Sequence, residues 1–369
     1  MIRDLVRRSA LLAPVGALVG AGAFAGWQVP VAIGGQPKGA RLERMRRSPN
    51  FRDGAFHNTV EAVVGTPSSN AMRDLVFGKE VRRPTHAVPL VGAPDFTAAV
   101  DGLRVSWLGH ATALVEIERK RFLFDPVWSD RVSPSTVVGP KRLHPVPWSL
   151  ADLPELDAVV ISHDHYDHLD MTTVRSLVAR QPALKFVVPL GVGAHLERWR
   201  VPVENIVELD WDERVSFDHV EVVATAARHF SGRLRPGGNG TLWASWVLAG
   251  RDRRVFYTGD SGYFDGYERI GAEYGPFDVT FIQIGAYSPY WPDIHMTPEE
   301  GVATHRAVRG ELLVPVHWAT FNLAMHSWSE PVERLLEEGR GIRVAVPKPG
   351  QAMDVDDAPE PDGWWRGVA

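Results

Sequence analysis

The sequence predicts an α/β protein built as a four-layer αββα sandwich, with an N-terminal arm and a hydrophobic leader ahead of it. Three observations carry that reading. Many short β-rich runs follow Leu103, clustered in two halves of the chain. One of them, Asp157–Ser162 (DAVVIS), is apolar through its centre, the pattern of a strand buried on both faces. Helical stretches recur between the later runs, so two sheets facing each other with helices outside give every apolar face a partner.

The elements follow in order. Leu103–Leu108, Ala113–Glu118 and Arg121–Asp125 alternate apolar and polar residues with turn residues between them, which predicts a meander. After the DAVVIS strand, Asp170 is placed to cap a helix whose inner face carries Val174, Leu177 and Val178. Lys185–Leu190 is the next strand, and Arg214–Phe217, Val220–Thr225, Leu242–Leu248 and Val255–Thr258 continue the β pattern. Val279–Ile284 and Leu312–Val316 are later strands with a helix from Thr297 to Val308 between them. A last helix over Glu330–Glu338 and a strand over Arg343–Val346 complete the main domain, 99–350. Residues 351–369 are acidic and Pro-rich and read as a loose tail. Residues 36–98 carry Pro, Gly, Arg and Asn punctuation and weak periodicity, an arm with short helices, one around Asn70–Phe77, wrapped on the main domain.

The leader, residues 1–35, is the segment that does not look soluble. Arg3, Arg7 and Arg8 precede an uncharged run from Ala10 to Trp27, and Lys38, Arg41, Arg44, Arg46 and Arg47 follow it. A signal peptide has this form, with Ala23-Phe24-Ala25 as its small-residue cleavage site, and Arg7-Arg8 has a twin-arginine flavour. An uncleaved anchor is the alternative, although eighteen helical residues at ~1.5 Å each reach only ~27 Å. Either places the protein in the cell envelope; the remaining reading is a buried helix of the domain.

Composition excludes several classes. With no Cys, there is no disulfide framework, no Cys nucleophile and no metal site built on thiolate. The balance of 40 basic against 45 acidic residues, net −5, provides no electrostatic footprint for nucleic acid. The 14 His remain, so any metal must be held by nitrogen and oxygen.

The sharpest signal is His163-Asp164-His165-Tyr166-Asp167-His168, directly after the buried strand and directly before the capped helix. A loop frees neighbouring side chains from the alternation of a strand, so several ligands can converge. Imidazole and carboxylate suit zinc, and also iron or manganese. A mononuclear site needs three protein ligands and an open position, and this chain offers more candidates than one ion takes. Three further residues end β runs in the same way: His229 after Val222–Ala227, Asp260 after Val255–Thr258, and His317 after Leu312–Val316. A lone His after a strand is commonly a surface residue, but beside the loop these three read as ligands on one edge of the sandwich.

HxHxDH followed by a distant His, an Asp and a His resembles the metallo-β-lactamase superfamily. Trp107-Leu108-Gly109-His110-Ala111-Thr112, Phe124-Asp125-Pro126-Val127, Gly139-Pro140-Lys141-Arg142, Gly285-Ala286-Tyr287, His295-Met296 and His317-Trp318-Ala319-Thr320-Phe321 resemble its N-acylphosphatidylethanolamine-hydrolysing phospholipase D branch. The resemblance covers residues 48–347 and implies the metallo-β-lactamase fold. It implies two Zn2+, with His163, His165 and His229 on the first, Asp167, His168 and His317 on the second, and Asp260 bridging. A bridging water that loses its proton near neutral pH would be the nucleophile. Ala319 stands where the family usually has Gly, and no acidic residue lies near Met325-His326, so the pocket wall is expected to differ.

Weaker candidates surround this set. His295, in a Pro-flanked loop, is expected to touch phosphate or protonate a leaving group, or else to cap the following helix. Arg233 suits bidentate phosphate contact, or is a surface arginine. His110 is expected to support a ligand from behind, and Tyr166 to pack beside the loop. His144, His195, His219, His305 and His326 read as ordinary. The activity implied is a metal-dependent phosphodiesterase acting on a phospholipid at a membrane surface. Trp128, Trp148, Trp211 and Trp291, among 13 Trp, are candidate interface residues that local packing would equally explain. The alternatives are a hydrolase of a soluble ester, lactone or phosphodiester, and, with least support, a non-enzymatic metal-binding envelope protein. The oligomeric state is left open.

Overall fold

The structure, a computed structural model, describes residues 29–65, 73–74, 77–233 and 238–369. The predicted leader run Ala10–Trp27 and its cleavage site lie outside the described residues, as does most of the predicted helix at 70–77. Among the described residues no helix is long and apolar enough to cross a membrane.

The chain enters through α1 (Gly39–Arg47) and a small hairpin, β1 (Phe51–Arg52) and β2 (Ala55–Phe56). Met45 and Phe56 are buried against Leu190, Leu242 and Trp243 of the main domain. The first half then runs β3 (Leu103–Gly109), β4 (Thr112–Ile117), β5 (Lys120–Phe124), β6 (Ala158–Val160), α2 (Met171–Arg180), β7 (Lys185–Pro189), α3 (Gly193–Arg198) and β8 (Ile206–Leu209). The second half runs β9 (Arg214–Phe217), β10 (Val220–Thr225), β11 (Ser245–Ala249), β12 (Arg254–Tyr257), α4 (Gly266–Tyr274), β13 (Phe277–Gln283), α5 (Pro298–Ala307), β14 (Gly310–Val316), α6 (Glu330–Glu338), β15 (Arg343–Val344) and β16 (Ala352–Asp354).

These strands form two seven-stranded sheets of matching design, ordered β16-β3-β4-β5-β6-β7-β8 and β15-β14-β13-β12-β11-β10-β9. In each, four strands form an antiparallel meander and the fourth opens a run of parallel strands. Parallel neighbours need crossovers, and the helices supply them except between β5 and β6, where the connection carries only a 3-10 turn, Leu150–Asp152. No sequence repeat marks this duplication of architecture.

Strand alternation divides the core. Phe122 and Phe124 of β5, and Ala158 and Val160 of β6, face the second sheet with Trp246 and Tyr257. Leu123 and Val159 between them face α2 and α3 with Leu177 and Leu196. Both faces of these strands are therefore buried, which is why DAVVIS is apolar through its centre. Truncating a fully buried ring such as Phe122 to Ala would cost about 3–5 kcal/mol. The helix starts are set by local chemistry. Asp170 Oδ1 accepts from Thr172 N at 3.1 Å, and Thr297 and Glu300 form a capping box with Pro298 in the first turn of α5. At the end away from the motif loop, Glu118 ties the two sheets together, its carboxylate accepting from the backbone N–H groups of Arg251, Asp252 and Arg253 at 2.7–3.0 Å.

Two boundaries differ from expectation. The segment 351–369 is not loose: β16 pairs with β3, and Trp364 and Trp365 are buried beside Trp318. Their indole N–H groups reach Val346 O and Glu333 Oε1, so two aromatic side chains outweigh an acidic, Pro-rich composition. Residues 29–35, assigned by sequence to the leader, dock on the main domain, with Ala32 buried against the α2–α3 core and Val31 O accepting from Trp199 Nε1 at 2.7 Å.

Candidate metal centre

The strands β3, β5 and β6 of the first sheet point the same way, as do β10, β12 and β14 of the second. The residues that follow them, His110, Asp125, His163, His229, Asp260 and His317, meet at one edge of the sandwich. The C-terminal ends of such strands are where chain leaves the sheet and side chains are free to converge.

Two groups form. In the first, His163 Nε2 lies 2.8 Å from His165 Nδ1, and His229 Nε2 lies 3.3 Å from the same atom. Their hydrogen-bond partners fix the tautomers. Ser162 Oγ donates to Asp125 Oδ2 at 2.6 Å and accepts from His163 Nδ1 at 2.9 Å, which leaves the Nε2 lone pair facing the group. His229 Nδ1 donates to Ile294 O at 2.9 Å with the same result. Three ring nitrogens thus face one point, where a single Nδ1–H on His165 serves one acceptor at a time and a cation would satisfy all three.

In the second group, His168 Nδ1 donates to Asp125 Oδ2 at 2.7 Å, so Nε2 points at the cluster, buried and without a hydrogen bond. Asp167 Oδ2 is 3.5 Å from His168 Nε2 and 3.3 Å from His317 Nε2. Asp260 Oδ2 joins the groups: it lies 3.1 Å from His168 Nε2, 3.0 Å from His317 Nε2, and 3.9 Å from both His163 Nε2 and His229 Nε2. Asp260 Oδ1 is buried with no hydrogen bond. Ligand atoms at tetrahedral zinc distances sit about 3.4 Å from one another. The spacings and the orphaned atoms therefore fit two divalent cations with Asp260 between them.

The electrostatics agree. Burial opposes charge on His168, yet Asp260, Asp167 and Asp125 hold its pKa well above the ordinary imidazole value. His317 is raised to about 9 in the same way, against burial, chiefly by Asp260 and Asp167. Burial likewise opposes the charged form of Asp260 and Asp167, but the neighbouring imidazoles, His168 first, hold both well below the usual carboxylate range. Burial pushes His163, His165 and His229 down, so the first group stands neutral and nitrogen-rich. Protons thus occupy the places where a cation would satisfy the same carboxylates.

A family model described as "Beta-lactamase superfamily domain" matches residues 120–318. An uncharacterized protein of Mycobacterium tuberculosis is 49% identical over 374 residues, 98% of this chain and 100% of that one. N-acyl-phosphatidylethanolamine-hydrolyzing phospholipase D 1 of Caenorhabditis elegans is 37% identical over 275 residues, 72% of this chain and 77% of that one. Among solved structures, a metallo hydrolase from Ignicoccus hospitalis aligns with a TM-score of 0.53 and 20% identity, over 68% of this chain and 97% of that one.

The chain belongs to the β-lactamase superfamily, in the branch of N-acylphosphatidylethanolamine-hydrolysing phospholipase D.

It is therefore a metal-dependent hydrolase with the metallo-β-lactamase fold. Membership leaves the roles of the remaining residues to the geometry. His295 borders the cluster, its Nδ1 3.8 Å from Asp260 Oδ2 and its ring stacked at 5.2 Å on that of His317. Burial pushes its pKa down to about 3, so it stands neutral at pH 7. His110 Nε2 is 2.9 Å from Asp167 Oδ2, the same oxygen that faces His168 and His317, and His110 lies within the group of residues that could hold an ion there. Ala319 has φ +59, in the region where Gly is unstrained, which accounts for the superfamily branch's usual Gly there.

Arg233 is a correction. Its guanidinium makes four hydrogen bonds to backbone carbonyls and is stacked on the Tyr166 ring at 3.9 Å, so it has no bidentate face left for a phosphate. Of the loop tryptophans, Trp148 is buried, while Trp128, Trp211 and Trp291 are partly exposed with their indole N–H groups on Trp148 O, Trp243 O and Ala286 O, contacts that fit the local-packing reading. His195, read as ordinary, has its Nε2 3.3 Å from Asp164 Oδ2 in the motif loop.

Asp125, Ser162, Tyr257 and Asn58 are contributors that pattern reading did not assign. Tyr257 OH donates to Asp125 Oδ2 at 2.7 Å. Asn58 brackets His229, accepting from its N at 3.0 Å and donating to its O at 2.8 Å. Asp125 ends a buried strand as the ligands do, and that placement is a signal; nothing local marks Asn58.

Proposed function

We propose that the chain is a two-metal phosphodiesterase of the phospholipase D type that hydrolyses N-acylphosphatidylethanolamine-like lipids. The observation that carries the two-ion reading is the position of Asp260 Oδ2, within 3.1 Å of two imidazoles of one group and 3.9 Å of two of the other. Zinc is the ion the nitrogen-rich, thiolate-free donor set favours, with iron and manganese compatible with the same ligands. The substrate class is supported by identity to the Caenorhabditis elegans relative and by two basic-flanked ends of an uncharged leader, which fits export or anchoring at a membrane.

When bound, two divalent cations polarise phosphoryl oxygens and acidify a water. The protein's own groups do the rest. His163, His165 and His229 would hold one ion, and Asp167, His168 and His317 the other. Asp167 is the most open carboxylate of the set, 15% exposed, and His110 Nε2 lies 2.9 Å from its Oδ2. His295, 13% exposed on its side chain and 3.8 Å from Asp260 Oδ2 through an Nδ1 that has no hydrogen bond, is the residue we assign to bond a diester oxygen. In the overall reaction the water oxygen bonds to phosphorus, the phosphorus–oxygen bond on the head-group side breaks, and the released N-acylethanolamine carries away a proton.

A second reading, a soluble ester, lactone or phosphodiester substrate, is favoured by the inward-bonded loop tryptophans. One experiment separates the two. Zinc-loaded protein in mixed micelles of N-acylphosphatidylethanolamine is analysed for products by mass spectrometry, with His163→Ala as control. Metal-dependent phosphatidic acid and N-acylethanolamine are expected. No turnover with two ions bound would reject the lipid and leave the soluble substrates.

A further inference from the structure

Residues 29–35, which follow the uncharged run Ala10–Trp27 of the leader, pack against the motif loop. Val29–Ala32 form one helical turn, and Ala32 O accepts from Arg233 Nε at 3.1 Å and Nη2 at 2.9 Å. The same guanidinium donates through Nη1 to Asp164 O at 2.7 Å and Leu169 O at 2.8 Å, the two ends of the His163–His168 loop. It lies between two aromatic rings, 3.9 Å from the Tyr166 centroid and 4.9 Å from that of Trp199. Tyr166 OH donates to Arg233 O at 3.1 Å, and Gly232 N donates to Asp164 Oδ1 at 2.8 Å. The arginine is buried and only 7% exposed.

The segment is pinned on its other side as well. Gly34 has φ +96, and a Cβ there would lie 2.1 Å from His195 Nδ1. A Cβ on Gly35 would lie 2.2 Å from Ala194 O. Only glycines allow the chain to approach α3 this closely, and His195 in turn contacts Asp164.

We infer that Arg233 is a positioning residue that braces the metal loop against residues 29–35, so that retention of the metal depends on the chain immediately after the leader's uncharged run. The inference rests on reading His163–His168 as a metal loop. A metal loop with its backbone carbonyls held by a rigid, multidentate cation keeps its ligands aimed; a loop held at one end only does not. Lysine keeps the charge but lacks the planar fork that spans three carbonyls. Cleavage after Ala25 would leave the brace intact, whereas trimming to residue 35 would remove the Ala32 acceptor.

The test uses the full zinc-loaded chain and measures zinc release to a chromogenic chelator, with near-UV circular dichroism to confirm folding. Arg233→Lys attacks the brace from the loop side and Gly34→Ala from the segment side. Gly39→Ala, also at positive φ (+54) but with open space around its Cβ, controls for backbone strain. Arg233→Lys and Gly34→Ala are each expected to release zinc about 10-fold faster, Gly39→Ala at the parent rate, and the double variant no faster than the worse single one. Parent-like release from Arg233→Lys, or a double variant whose effect is the product of the two, would overturn the brace while leaving the metal loop standing. A parent chain that holds no zinc would overturn the metal-loop reading and the brace with it.

Discussion

Asp125 Oδ2 accepts the Nδ1–H of His168 at 2.7 Å, with both side chains fully buried. Ser162 and Tyr257 donate to the same oxygen, so one carboxylate orders two ligand rings, that of His168 directly and that of His163 through Ser162. In Asp125→Asn the amide turns a donor toward donors. Metal affinity is expected to fall about 10–100-fold with the fold retained. Chelator competition measures it; unchanged affinity would mean that packing alone orients the rings.

His163→Ala and Asp260→Ala should both abolish hydrolysis and lower metal content. Asp260→Ala is expected to lose the more metal, because its carboxylate faces both groups. Elemental analysis beside activity checks this, and full activity in either variant removes the two-ion reading.

His295→Ala should keep its metal and lose turnover by about 100-fold or more, the usual scale for a side chain that handles a proton or a reacting oxygen. If metal content falls instead, His295 is a ligand, which its place beside His229 and Asp260 would allow.

Chelation should lower the melting temperature, on the order of 5 °C, because the apo cluster leaves His163 and His165 ring nitrogens 2.8 Å apart with no cation between them. A melting temperature that ignores chelator would show the loop to be held by the protein alone.

Away from the metal, His305 of α5 is buried beside Thr280 Oγ1 at 2.8 Å, and burial, with Arg306 adding to it, pushes its pKa down to about 4. The native state therefore takes up its proton later than the unfolded state, whose pKa is about 6.5. Its contribution is complete above about pH 6.5 and is lost as pH falls toward about 4, amounting to about 3 kcal/mol. Urea unfolding of parent and His305→Gln across that range should show a shallower acid loss in the variant; parallel curves would remove His305 from the account.

Much of this protein was legible in its sequence for a local reason. Strand alternation, a capping Asp170 or a β run that ends in His are written within a few residues, so the sheets, the α2 start and the edge carrying His163, His229, Asp260 and His317 follow from short-range pattern. Other features depend on partners far away along the chain. Arg233 meets Ala32 across 201 residues, and Asn58 meets His229 across 171. Composition read residues 351–369 as solvent-loving until Trp364 and Trp365 found Trp318. By itself the sequence determined which residues could be ligands, because that needs only side-chain chemistry at strand ends. Only the tertiary structure decided which nitrogen each ring presents, and that Arg233 holds backbone carbonyls instead of facing a substrate. Those outcomes are set by hydrogen-bond partners that distant segments deliver when the two sheets close on each other.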